Sequence, residues 1–88
     1  MKIRISRHAR EQAADRNISS DLITIVAKSP QQIVVSEAEG TVCQSLIFDY
    51  DMNKEMLFRV IVSDTGSVRN VITAYKTSKT GKYWRKSR

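Results

Sequence analysis

One cysteine, one proline, one histidine and three glycines are all that this 88-residue chain has of those residues, and each scarcity removes a class of answer. Cys43 has no partner for an internal disulfide, and with His8 as the one imidazole a structural zinc site of the usual Cys and His ligands is not expected. The expectation is a protein of a reducing compartment, with no metal and no cofactor. No segment approaches the roughly 18 consecutive apolar residues of a membrane-spanning helix, and the opening MKIRISRHAR has no apolar run of the secretory kind. A cytoplasmic protein without a membrane partner is therefore expected. Repeats, linkers and low-complexity stretches are absent before the end, which suggests one domain over residues 1–88 with a basic tail over 76–88. A hydrophobic share of 41% and a charged share of 27% fit a folded globule, since a disordered chain has too little apolar surface to offset its ordering entropy.

The charge is unevenly placed. Residues 1–75 hold nine Lys or Arg against nine Asp or Glu, so Lys76, Lys79, Lys82, Arg85, Lys86 and Arg88 supply the whole net charge of +6. Positive potential concentrated in one stretch attracts a polyanion such as RNA or DNA. Tyr83 and Trp84 stand between Lys82 and Arg85, interleaving flat rings with cations, a combination that stacks bases and neutralises phosphates on single strands. The bland alternative is a solvated, disordered end. An anionic membrane surface ranks lower, because it calls for a basic amphipathic helix with a bulky apolar face.

Along the chain, Met1–Ile5 alternates like a short strand. Ser6 is placed to cap a helix over 7–16, whose apolar positions Ala9, Ala13 and Ala14 suit close packing. Asn17 can end that helix in a left-handed conformation, and Ser19 or Ser20 can cap the next, with Asp21 favourable at its amino end. Leu22, Ile25 and Val26, joined by Ile18, form its expected core stripe, and Ser29-Pro30 stops it. The period then changes to two. Runs over 32–36, 41–50, 55–63 and 68–76 are separated by breaks of four residues each, which favour hairpins over crossovers. The predicted fold class is α+β, two N-terminal helices packed on a four-stranded antiparallel meander sheet. With the core on the Ile72 side of the last strand, Arg69, Thr73 and Tyr75 would share its open face, with Arg59 beside them.

The opening ISRHAREQAADRNIS, the Ser-Pro stop, the strand run and the closing ITAYKTSKTGKYW together resemble a bacterial domain-of-unknown-function family, number 4258, near the BrnT toxins and more remotely the RelE-like ribonucleases. The resemblance covers nearly the whole chain. It implies a RelE- or barnase-like arrangement of two helices on an antiparallel sheet and, by wider analogy, metal-independent cleavage of RNA. His8, Arg16, Thr73 and Tyr75 stand where that family carries its histidine, its arginine before the turn and its polar positions on the last strand.

Cleavage of RNA by its own 2′-hydroxyl needs a base, an acid and cations to hold the phosphate. His8 is the candidate for proton transfer, imidazole being the side chain suited to both giving and taking a proton near neutrality, or else a residue that merely caps or packs at the helix start. Arg59 either clamps the scissile phosphate or pairs structurally with Asp49 or Glu55, an alternative that matters because an unpaired buried charge costs several kcal/mol. Tyr75 either holds phosphate or a base, or covers the sheet edge. Arg10 and Arg16 either line the same groove, or are a solvated surface residue and a helix-end cap. Cys43 reads as a small buried hydrophobe. The predicted catalytic set is thus His8, Arg59 and Tyr75, and the nucleic-acid set is Arg10, Arg16, Lys76, Lys79, Lys82, Tyr83, Trp84 and Arg85. The expected function is an RNA-binding endoribonuclease toxin neutralised by an antitoxin. The alternatives are a noncatalytic module that binds nucleic acid or protein, and a homodimer formed through the edge of the last strand.

Overall fold

Two serines start the N-terminal helices. The Ser6 hydroxyl accepts from the Ala9 amide at 3.0 Å and Ser19 from Leu22 at 3.1 Å, each satisfying a donor that the first turn leaves free. The computed structural model describes residues 1–86; Ser87 and Arg88, the latter one of the tail cations, lie outside the described residues. The chain runs β1 (Lys2–Ile5), α1 (Arg7–Asp15), α2 (Ser20–Lys28), β2 (Gln32–Ser36), β3 (Gly40–Asp49), β4 (Lys54–Thr65), β5 (Val68–Thr77) and α3 (Thr80–Tyr83). Asn17, at φ 57°, takes the left-handed turn between α1 and α2, and Gly40 at φ 82° does the same where β3 leaves its hairpin.

The four-stranded meander is incorrect. The sheet has five strands in the order β1-β5-β4-β3-β2, and β1 lies parallel to β5, with Lys2 opposite Val68 and Ile5 opposite Val71, so the sheet is mixed. A third helix, α3, stands where a tail was expected, and Lys76 and Thr77 belong to β5. The physical reason is sequence distance. Hairpins leave local turn signals, whereas a four-residue parallel pair between opposite ends of the chain leaves none.

Strand alternation then assigns the two faces. Met56, Phe58, Val60 and Val62 of β4 face α1 and α2, forming with Ala9, Ala13, Ile18, Ile23, Val26, Ala27, Cys43, Val71 and Ala74 one buried core. Full burial of a side chain of this size contributes about 1.5–3 kcal/mol, so this layer dominates stability. Two local expectations change. The stripe of α2 is rotated, with Ile23, Val26 and Ala27 inside and Ile25 58% exposed. In β5 a bulge leaves Ile72 unpaired between partners of Ile61 and Val62, so Val71 and Ala74 both turn inward and Ile72 outward. Arg69 therefore lies on the helix side, where it donates to the Ala27 carbonyl at 2.9 Å and grips both Asp64 oxygens. Cys43 is fully buried beside it, and burial pushes its thiol pKa up.

Candidate functional site

The face turned away from α1 and α2 carries one polar residue from each of four adjacent strands at the same level. Gln32 of β2 is opposite Gln44 of β3, Gln44 is opposite Arg59 of β4, and Arg59 is opposite Tyr75 of β5. Their side chains form a continuous chain of hydrogen bonds. Gln44 Nε2 donates to Gln32 Oε1 at 2.8 Å, Arg59 Nε to Gln44 Oε1 at 2.9 Å, and Arg59 Nη1 to the Tyr75 hydroxyl at 2.5 Å. Glu39, from the β2–β3 turn, closes the row by accepting from Arg59 Nη1 at 2.5 Å and from the Tyr75 hydroxyl at 2.7 Å.

These contacts settle the charge states. Partial burial works against the Glu39 carboxylate, but the bonds it accepts from Tyr75 and Arg59 outweigh that and hold its pKa below the usual value. Burial likewise opposes the Arg59 charge, and its bonds to Glu39 and Tyr75 more than offset it. Burial, with the hydrogen bond given to Glu39, pushes the Tyr75 phenol up to about 12. At neutral pH the cluster is thus an anion, a cation and a protonated phenol in mutual contact.

The C-terminal segment covers it. The Tyr83 ring centre lies 4.2 Å from the Arg59 guanidinium carbon, within cation–π range. Gln44 Nε2 donates to the Tyr83 carbonyl at 3.1 Å, while the Gln32 amide accepts from the Arg85 backbone NH at 3.0 Å and donates to its carbonyl. The two glutamines thereby hold the backbone of this segment against the sheet. Arg59 is 2% exposed as a result.

The predicted residues are divided by the sheet. Arg59, Tyr75 and Tyr83 come together on the covered face. His8 is exposed on α1, which packs on the other face, so the sheet lies between it and Arg59. Arg10 donates to the Ser20 hydroxyl at 3.1 Å, and Arg16 to the Ala74 carbonyl at 2.7 Å beside Thr73, whose hydroxyl donates to Gln12. Lys76 runs to the helix side and pairs with Asp49 at 2.6 Å. Lys79, Lys82 and Arg85 are exposed and Trp84 is half-buried. Arg59 pairs with Glu39, not with Asp49 or Glu55. On the side away from β4, β5 is flanked by β1 along Val68–Val71 and is an edge from Ile72 to Thr77.

Sequence reasoning missed Gln32, Glu39 and Gln44. Gln44 does interrupt the apolar series Val42, Leu46 and Phe48 on one side of β3, which was a usable signal. Glu39 gave none, being one acid in a polar turn.

The family described as domain of unknown function (DUF4258) matches residues 5–76. The chain belongs to it. The match runs from Ile5, the last residue of β1, to Lys76 near the end of β5 and contains Glu39, Arg59 and Tyr75, while the rest of β1, α3 and the cations after Lys76 fall outside the matched region. Neither the curated proteins nor the solved structures offer a match. Among the described residues no helix of this DUF4258 member is long and apolar enough to cross a membrane.

Proposed function

We propose that this DUF4258 member is a small RNA-binding domain with metal-independent endoribonuclease activity, of the kind carried by toxins of bacterial toxin–antitoxin pairs. One observation carries the reading: a carboxylate, a guanidinium and a protonated phenol in mutual hydrogen bonding on a sheet face, next to the most cationic part of the chain. Those are the groups that transesterification of RNA asks for. Glu39 takes the proton of the 2′-hydroxyl as that oxygen bonds to phosphorus, Arg59 holds the phosphoryl oxygens, and Tyr75 gives its proton to the departing 5′-oxygen. The products are a 2′,3′-cyclic phosphate and a 5′-hydroxyl. The hydrogen bond between Tyr75 and Glu39 then returns the proton to the phenol. In this reading His8 has no part, and Tyr83 must leave Arg59 before phosphate enters.

The test is incubation of the purified chain with RNA in chelator, beside Tyr75→Phe, Arg59→Lys and His8→Ala. Cleavage by the parent and His8→Ala chains, lost in the other two, is the expected result. A parent chain that leaves RNA intact removes the enzyme, and equal cleavage by all four removes this site.

A noncatalytic module that docks on nucleic acid or on an acidic partner protein is the second reading. It is favoured by the burial of Arg59 and by its neutralisation by Glu39, which suit a strut for the C-terminal segment. It predicts binding without turnover.

A further inference from the structure

Alternation places Phe48 on the same face of β3 as Leu46 and Gln44, toward the end of the strand that leads into the β3–β4 hairpin. Phe48 is 45% exposed and Tyr50, just beyond it, is 88% exposed. Their rings meet edge to face with centres 4.8 Å apart, an arrangement that fixes one ring against the other while leaving flat faces open to solvent. Beside them a groove of about 180 Å3 is lined by Leu46, Glu55, Thr80, Gly81, Trp84 and Lys86. Lys82, Arg85 and Lys86 are exposed along the segment that forms its wall.

Exposed large aromatics without a role are uncommon as neighbours on a small surface, and here they lie beside a groove lined by Glu55 and Lys86, the latter on a segment that also exposes Lys82 and Arg85. Tyr83, the ring expected to stack from its place between cations, is committed to Arg59 and is only half-buried on that side. Phe48 and Tyr50 keep exposed rings, and the half-buried Trp84 lines the groove.

We infer that Phe48 and Tyr50 form a base-stacking platform for single-stranded RNA, with Trp84 lining the adjoining groove and Lys82, Arg85 and Lys86 meeting the phosphates. Charge complementarity names a polyanion, and flat rings add a second demand: only unpaired bases present a free π-face, because those of a duplex are stacked on one another. The inference rests on the RNA-binding reading above and specifies the form of RNA that is bound.

The experiment measures fluorescence anisotropy of labelled oligouridine and of a hairpin duplex RNA of equal length, for the parent chain and for Phe48→Ala/Tyr50→Ala. Tyr50→Ala alone, at a position so exposed that folding does not depend on it, is the second variant. The double variant is expected to lose at least tenfold in affinity for oligouridine, and Tyr50→Ala a smaller part of that. Affinity for duplex and the slope of affinity against salt should stay the same, since every cation remains. Trp84 fluorescence should fall as the parent chain takes up oligouridine. Equal oligouridine affinity in parent and variants overturns the platform and leaves the RNA-binding reading standing. A parent chain that prefers duplex, or that prefers phosphatidylglycerol vesicles to RNA, also overturns it. A parent chain that binds no RNA overturns both.

Discussion

The guanidinium of Arg59 and the ring of Tyr83 are stacked 4.2 Å apart, so the residue that breaks the apolar pattern of β4 is also the one on which the C-terminal segment rests. An arginine at this position has little access to water, and its charge is tolerated because Glu39, Tyr75, Gln44 and the Tyr83 ring surround it. Removing the ring should loosen the segment without disturbing the helix-side core. Tyr83→Ala is expected to cost about 0.5–2 kcal/mol, the range of a cation–π contact that is partly desolvated. Amide exchange of residues 80–85 should rise at the same time. Unchanged exchange there would mean that the two glutamines alone hold the segment.

Alkaline pH probes the same cluster through Tyr75. Folding raises its pKa from 10.0 to about 12, so the native chain keeps this proton more tightly than the unfolded one. The stability that follows is complete below pH 10, declines as pH climbs, and is gone above about 12. Tyr75→Phe should therefore show a flatter alkaline limb in its denaturant midpoints. It should also lack a phenolate absorbance step near pH 12. At neutral pH the variant loses about 1–3 kcal/mol, because Arg59 and Glu39 each keep a polar group without its partner.

What could be read beforehand was whatever is encoded locally. The cap at Ser6, a second cap at Ser19 or Ser20, of which Ser19 is the one used, the left-handed Asn17, the proline stop and the four hairpin-linked strands all follow from residues within a few positions of each other. Three features did not follow. The parallel pairing of β1 with β5 and the docking of α3 depend on contacts between distant parts of the chain. The inward turn of both Val71 and Ala74 depends on a bulge, whose extra residue shifts the strand by one and reverses its alternation. The site shared both characters. Arg59 stood out as a charge among apolar neighbours, but its alignment with Gln32, Gln44 and Tyr75 exists only once four strands have found their register.

Lys76 illustrates how a cation in a basic stretch can be withdrawn from it. Its side chain crosses the Phe58 ring, with Nζ 6.0 Å from the ring centre, and reaches Asp49; both partners are only 10% exposed. Breaking a buried pair leaves a stranded charge, so Lys76→Met is expected to cost about 3–5 kcal/mol, and adding Asp49→Leu should recover much of it. Thermal unfolding of the single and double variants measures this. The dependence of RNA affinity on salt should be the same in the double variant as in the parent, because this ammonium is not presented to phosphate.

The rotated stripe of α2 gives a prediction that separates pattern from structure. Ile23 and Ile25 are two positions apart on one helix, so they point to different sides, and by composition alone either qualifies for the core. Ile23 is fully buried against the sheet, within the cluster of Val26, Phe58 and Val60, whereas Ile25 is 58% exposed. Ile23→Ala opens a cavity among side chains that cannot fully collapse, at a cost of about 2–5 kcal/mol. Ile25→Ala removes a side chain already largely in water and replaces it with a better helix former, so its effect should stay within about 0.5 kcal/mol. Urea denaturation of the two variants decides the matter: comparable losses would restore Leu22, Ile25 and Val26 as the inner stripe and require α2 to be turned by about a third of a revolution.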